Sequence, residues 1–423
     1  MLILVQAVFV IFFILHMSFV KLSIGLPIKD LSLIALFGLL FLGYPRQLVD
    51  ALSRMRGLIA IFLALGVLGL CLTFLKGEGV SGSMEAVPRM VMQPLLVVVC
   101  TYTLIVLCGV RFVAAVFIGT ALITGLFAIL QFANVGFAWE AREIIGRIQR
   151  EPDAIASTVR ARERPFGLSL TAIIFSYHLV AAYITANLLY RKQIISNRVY
   201  AVLVVALLAM AAANGTRSLL IGIVLHEVLR QLGGASVKSL ATLGVLAIIA
   251  FVGMDYLASV GSRVTTITDA SAVGRWTLYE YGMQLARDNP FGYGWDFNPG
   301  DYAWLYWEQL SDMARAEAAF RLDIHNAFLN FVLIYGIYGV LIVALTALFN
   351  PGLFLATAYF ATAYLAHSFF HNDGVFLGDD YFWFAFVIFL YLRDQEKAAT
   401  GRANAYAGRQ QPFALTRPGF TRS

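Results

Sequence analysis

The chain has 423 residues, of which 60% are hydrophobic and only 13% charged, with a formal net charge of +6 and a mean hydropathy of +0.77. No water-soluble fold hides that share of apolar side chain in its cores, so lipid must solvate most of it and a soluble multidomain enzyme is excluded. The positive excess is spread over loops and the C-terminal tail, which fits basic residues flanking membrane spans better than a nucleic-acid patch.

A spanning helix takes roughly 20 apolar residues. On that template spans fall near 1–20, 28–44, 57–75, 91–109, 112–133, 166–190, 199–213, 216–231, 240–258, 326–349, 352–371 and 376–392. The expectation is therefore an all-α polytopic membrane protein of about twelve transmembrane helices. Residues 1–20 have neither a basic start nor a small-residue cleavage site, so they read as a retained first span rather than a removable signal. Cys71, Cys100 and Cys108 lie in apolar runs and read as small hydrophobes, not as a disulfide framework. Residues 1–394 form one transmembrane domain in this reading. From Gln395 to Ser423 the chain is polar and rich in Ala, Gly and Arg, a tail expected to be disordered and cytoplasmic.

With both termini inside, Arg46, Arg54, Arg56, Arg111, Arg191, Lys192, Arg198, Arg230 and Lys238 fall in inner loops. Lys21, Lys29, Lys76, Arg89 and Arg217 fall in short outer ones. The bias follows the positive-inside rule. Two connections, 134–165 and 259–325, then lie on the outer face. They are too long for turns. The second holds Trp276, Trp295, Trp304 and Trp307, a composition that argues for a folded periplasmic cap rather than disorder. Those indoles are candidate sugar contacts, although an interfacial belt explains them equally well. Around Asp301 to Arg321 the alternation suggests an amphipathic helix on the membrane surface, and Glu140 to Arg164 mostly a solvated helical face.

Four groups stand where outer loops meet spans: Arg164 in RERPFG, Arg217 in NGTRS, Arg275 in GRWTLYEYG and His325 in DIHNAFL. An arginine at bilayer depth costs roughly 2.5–3.5 kcal/mol and less near an interface, so Arg217, between Ala211-Ala212-Ala213 and Leu219-Leu220-Ile221, calls for a reason. It is either a snorkelling interfacial residue or part of an anion site, since the planar guanidinium fork suits phosphate oxygens. A neutral imidazole at His325 is able to accept a hydroxyl proton near neutral pH, with Asp323 positioned to orient it if the chain bends there. Read alone it is equally a satisfied helix-end histidine. His367 and His371, four apart with Asp373, Asp379 and Asp380 nearby, form a weak zinc pattern; capping and interfacial anchoring explain them better. No phosphate-loop, HExxH or GxSxG motif is present, and the first outer loop offers only Asp30, not paired carboxylates for a metal.

The order of the motifs is more specific than any one of them. RERPFG precedes one span and GTRS opens another; GRW and NPFGYGW follow in a large loop, which closes with HNAFLNFVLIYGIYG. This set, over roughly 160–345, resembles the O-antigen ligase/polymerase superfamily of bacterial envelope glycosyltransferases. The resemblance implies a multi-pass inner-membrane enzyme, active on the periplasmic face, that moves a glycan from an undecaprenyl-diphosphate carrier to an acceptor hydroxyl without a cofactor or metal. By motif position Arg217 and Arg275 correspond to the family's essential arginines and His325 to its essential histidine, while Arg164 matches a recurrent basic position. The acceptor is lipid A-core sugar for a ligase, another repeat unit for a polymerase or a protein side chain for a related O-oligosaccharyltransferase, and the ligase reading is preferred. A transporter or flippase is the alternative from another class, since about twelve spans is common there. It usually shows internal repeats and polar breaks at mid-membrane, and neither is evident.

Overall fold

The computed structural model describes residues 1–15, 28–76, 86–149, 153–162, 164–232, 270–295, 297–372 and 374–409. The span read at 240–258 lies outside them, as do Lys21, Asp373, the start of the second long connection and residues 410–423. Among the described residues every regular element is helical. The helices are α1 (Leu2–Leu15), α2 (Ile28–Gly43), α3 (Pro45–Leu75), α4 (Gln93–Cys108), α5 (Val110–Phe132), α6 (Gly136–Gln149), α7 (Asp153–Ala161), α8 (Ala172–Arg191), α9 (Asn197–Asn214) and α10 (Arg217–Leu232). The second half adds α11 (Ala270–Asp288), α12 (Ala327–Phe349), α13 (Pro351–Phe360), α14 (Thr362–Ser368) and α15 (Asp380–Arg409).

Among the described residues six stretches are long and apolar enough to cross a membrane: α3, Pro88–Cys108, α5, α8, α9 and α12. Leu2–Leu15 and Pro351–Phe360 are apolar but shorter. Several boundaries differ from the hydropathy reading for identifiable reasons. The sixth span begins at Ala172 rather than 166, because the Thr171 side chain accepts from the Ile174 N–H and caps α8 there. The stretch 352–371 is not one helix. It breaks at Ala361 between α13 and α14 and continues into a turn beyond Ser368. The expected surface helix over 301–321 is instead broken into short helical pieces, the 3-10 helix Pro299–Tyr306, the α-turn Trp307–Leu310 and the 3-10 helix Ala316–Phe320. Helix α15 continues past Gln395 to Arg409, so the first part of the expected disordered tail is helical; its alanines favour that state.

The bundle is built around α8, which is buried almost throughout and packs against α5, α9, α10, α14 and α15. Aromatic side chains fill the layer beside it, with Phe13, Phe117 and Phe384 in mutual ring contact. Residues of α11, the turns after it and the start of α12 have a separate apolar core of Leu278, Tyr281, Leu285, Tyr293, Leu310, Ile324 and Leu333. That core is why this tryptophan- and tyrosine-rich connection is folded.

The NPFGYGW segment is sewn onto α12 where that helix breaks. Gly336 has φ 60° and ψ −160°, and around it Tyr293 N–H donates to Leu333 O (2.6 Å), Gly294 N–H to Ile334 O (3.0 Å) and Ile337 N–H to Pro290 O (2.8 Å). A Cβ at Gly336 would lie 2.1 Å from the Phe291 carbonyl carbon. The positive φ and the clash act together. Gly336→Ala is therefore expected to destabilise the protein by about 1–3 kcal/mol, read as a lower melting temperature in detergent. An unchanged melting temperature would mean this junction is slack.

Candidate functional site

The loop 164–171 is held from both sides. The Gln131 side chain accepts from the Phe166 and Gly167 N–H groups (3.0 and 2.8 Å) and donates to Gly167 O (3.0 Å). Arg142, fully buried, donates to Ser169 O (2.8 Å) and Leu170 O (3.2 Å) with its guanidinium over the Phe166 ring. Gly167, at φ +62°, lies where a Cβ would strike Thr124 O. Arg142 sits in the segment read as a solvated face; its buried partners are main-chain carbonyls, which a sequence pattern does not display.

This loop presents Arg164 to the turn between α9 and α10. Arg164 Nε donates to Asn214 O (3.1 Å) and its Nη2 to Thr216 Oγ1 (2.6 Å). Thr216 in turn donates to Asn214 Oδ1, and Asn214 Nδ2 donates to Pro165 O (3.1 Å) and Ala172 O (3.3 Å). Gly215 supplies the left-handed residue, φ +72°, that ends α9. The first residue after this turn unit, in α10, is the half-buried Arg217.

The next residue, Ser218, is buried and joins two histidines. Its Oγ lies 3.0 Å from His367 Nδ1 and 3.0 Å from His371 Nε2, while His367 Nε2 reaches Ser176 Oγ on α8 at 3.0 Å. This serine–histidine chain locks α8, α10 and α14 together behind the arginines. It accounts for the i, i+4 histidine pair, whose spacing was legible but whose serine partners were not.

Arg275 on α11 and His325 complete the site from the large connection. Arg275 acts electrostatically on His325, His367 and His371, Arg164 acts on His367 and His371, and His325 acts on His371. Hydrogen bonds from Arg164 to Thr216, Ser218 to His371 and Asn372 to Asp323 bring the stretches that carry Arg164, Arg217 and His325 to one end of the bundle, and the Arg275 charge acts on His325 there.

His325 stands just before α12 because Asn326 caps that helix, its Oδ1 accepting from the Leu329 N–H (3.0 Å). His325 Nδ1 lies 2.8 Å from Asp323 O. A carbonyl oxygen only accepts, so Nδ1 carries the proton and Nε2 holds the lone pair in the neutral ring. It is the Asp323 main chain that orients the imidazole; the Asp323 carboxylate accepts from Asn372 Nδ2 (3.0 Å) instead. Asn330 Nδ2 closes the hairpin by donating to Ile324 O (2.7 Å) and Asn372 O (3.1 Å). Burial holds the His325 pKa below its ordinary value, and the Arg275 charge pushes the same way, against the pull of the Asp323 carbonyl and carboxylate.

The tryptophans divide. Trp295 is turned inward, its Nε1 donating to Tyr335 Oη (3.1 Å) and its main chain to Thr73 Oγ1 (2.9 Å). Trp276, Trp304 and Trp307 are exposed. Beside the cluster, a cavity of about 720 Å³ runs between α3, α12, α13 and α15, bordered near the site by Ala327 and Ser368 and lined by Phe328, Phe331, Phe382 and Phe386 among other apolar side chains.

No curated protein matches the chain. A family model does: the one described as O-antigen ligase matches residues 166–344. The matched stretch contains Arg217, Arg275 and His325 and begins two residues after Arg164. Over residues 166–344 the chain thus matches the O-antigen ligase/polymerase superfamily, whose members are membrane glycosyltransferases.

Proposed function

We propose that the protein transfers a glycan from an undecaprenyl-diphosphate carrier to an acceptor hydroxyl at the periplasmic face of the bacterial inner membrane, as a ligase whose acceptor is lipid A-core sugar. The observation that supports this reading is the hydrogen-bond chain from Arg164 through Thr216, and from Ser218 through His371, that flanks Arg217, with the Asp323–His325 hairpin bonded beside it at Asn372.

In the proposed reaction the acceptor oxygen attacks the anomeric carbon of the carrier-linked sugar, and the bond from that carbon to the diphosphate oxygen breaks. His325 Nε2 takes the hydroxyl proton as the new bond forms. The diphosphate leaves with the bonding electrons and gains negative charge, which Arg217, Arg275 and Arg164 stabilise. Attack opposite the leaving group inverts the anomeric centre. Because guanidinium groups supply the positive field, the scheme needs no metal. The apolar cavity supports it by offering a place for the polyprenyl chain, and the exposed Trp276, Trp304 and Trp307 offer faces for sugars.

The test is purified protein given carrier-linked glycan and lipid A-core acceptor in EDTA. Glycan-modified acceptor and released polyprenyl diphosphate are expected; carrier flipping without release, or dependence on added metal, would overturn the scheme. The polymerase reading is separated in cells. Loss of a ligase leaves polymerised glycan on the carrier, whereas loss of a polymerase leaves single repeats.

The lowered His325 pKa sets the pH response. Neutral imidazole is the active base, so a lowered pKa keeps it active further into acid. The half-maximal point of transfer on the acid side is expected below the ordinary histidine pKa of roughly 6.5. A half-maximal point above that value would contradict the assignment.

A further inference from the structure

The far end of the bundle carries a second built cavity that the transfer reaction does not use. Helix α8 connects the two ends: Ser176 bonds His367 beside the arginines, and Arg191 ends the helix. At 1.5 Å rise per residue these positions lie about 22 Å apart along the axis. At the Arg191 end a cavity of about 390 Å³ opens between α8, α13 and α15, within the size range, roughly 300–1,000 Å³, of small-molecule sites.

Its walls have two characters. Leu188, Leu355, Ala356, Phe360 and Phe389 make an apolar side, with the Phe360 and Phe389 rings stacked at 4.7 Å. Arg191, Lys192 and Arg393 supply three cations, against the single carboxylate of Glu396, which pairs with Lys192. Basic residues at span ends are routine, but these are not simply in loops. Arg191 lies over the Tyr359 ring of α13 at 4.8 Å. Arg393 comes from another helix and borders both this cavity and the far end of the large apolar one. Cations from two helices thus face an apolar slot shared with a third.

We infer that this cavity binds an anionic glycerophospholipid, its phosphate held by Arg191, Lys192 and Arg393 and an acyl chain lying against Leu355, Ala356, Phe360 and Phe389. The charge balance selects an anionic headgroup, and the apolar wall selects a lipid over a free anion. The inference is independent of the chemistry assigned to the other end.

The experiment is native mass spectrometry of the delipidated full chain, titrated with phosphatidylglycerol or with phosphatidylcholine of the same acyl chains. Saturable phosphatidylglycerol binding, roughly ten-fold tighter than phosphatidylcholine, is expected. Two variants address the site separately: Arg191→Gln/Arg393→Gln removes charge, and Ala356→Trp fills the slot with the charges intact. Each is expected to lower phosphatidylglycerol binding at least several-fold. If the charge variant misfolds, Ala356→Trp and the lipid comparison still decide. Equal binding of the two lipids, full binding by Ala356→Trp, or displacement by millimolar inorganic phosphate would overturn the inference, the last by revealing a simple anion site.

Discussion

His325→Ala is expected to lower glycan transfer by about 10²–10⁴-fold, the usual contribution of a positioned general base, while leaving carrier binding near its wild-type level. The separation follows from where the side chain stands. Its Nδ1 proton is committed to the Asp323 carbonyl at 2.8 Å, so Nε2 is the atom available to an acceptor hydroxyl. The hairpin that presents it is held by Asn326, Asn330 and Asn372, none of which relies on the imidazole. The variant should therefore fold. His325→Gln, which keeps polar bulk but has no basic nitrogen, should be as slow as alanine. Recovery of more than a tenth of the activity in the glutamine variant would argue that His325 only fills space.

Arg275→Ala is expected to cost about 10²–10³-fold in turnover, the range for losing one preorganised electrostatic contact to developing charge. It carries a second signature that a merely structural residue lacks. The Arg275 charge opposes protonation of His325. Removing it makes the imidazolium easier to form, so the His325 pKa rises and the acid limb of the pH–rate profile moves to higher pH. Arg275→Lys keeps the charge but not the planar fork. It should restore the position of the limb while recovering only part of the rate. A profile that stays fixed in the alanine variant would show that the two groups do not face each other in the working enzyme.

The candidate site residues stand out in the sequence because their types are costly where they stand. Arginine at the rim of an alanine- and leucine-rich run and histidine at a helix start are conspicuous against 60% hydrophobic residues. The sequence order of RERPFG, GTRS, GRW and HNAFL carried the family, and the match over 166–344 agrees with it. What escaped was everything that depends on main-chain partners or on pairing across the chain. Arg142 bonds Ser169 O and Leu170 O, Ser218 joins His367 to His371, and the Asp323 carbonyl rather than its carboxylate sets the His325 tautomer. Trp295 has the same composition signature as Trp276 but turns inward onto Tyr335 and Thr73. Hydropathy also overran the real start of α8 and missed the break at Ala361, since a transfer scale registers neither a capping hydroxyl nor a change of backbone direction.

Binding of polyprenyl diphosphate to the purified protein, compared with polyprenyl monophosphate, tests most directly whether the arginines and the histidine form one site with divided roles. Wild-type protein should prefer the diphosphate. Arg164→Ala, Arg217→Ala and Arg275→Ala should each weaken that preference, and His325→Ala should keep it while failing to transfer. Equal affinity for the two lipids, or arginine variants that bind the diphosphate as wild type does, would contradict it.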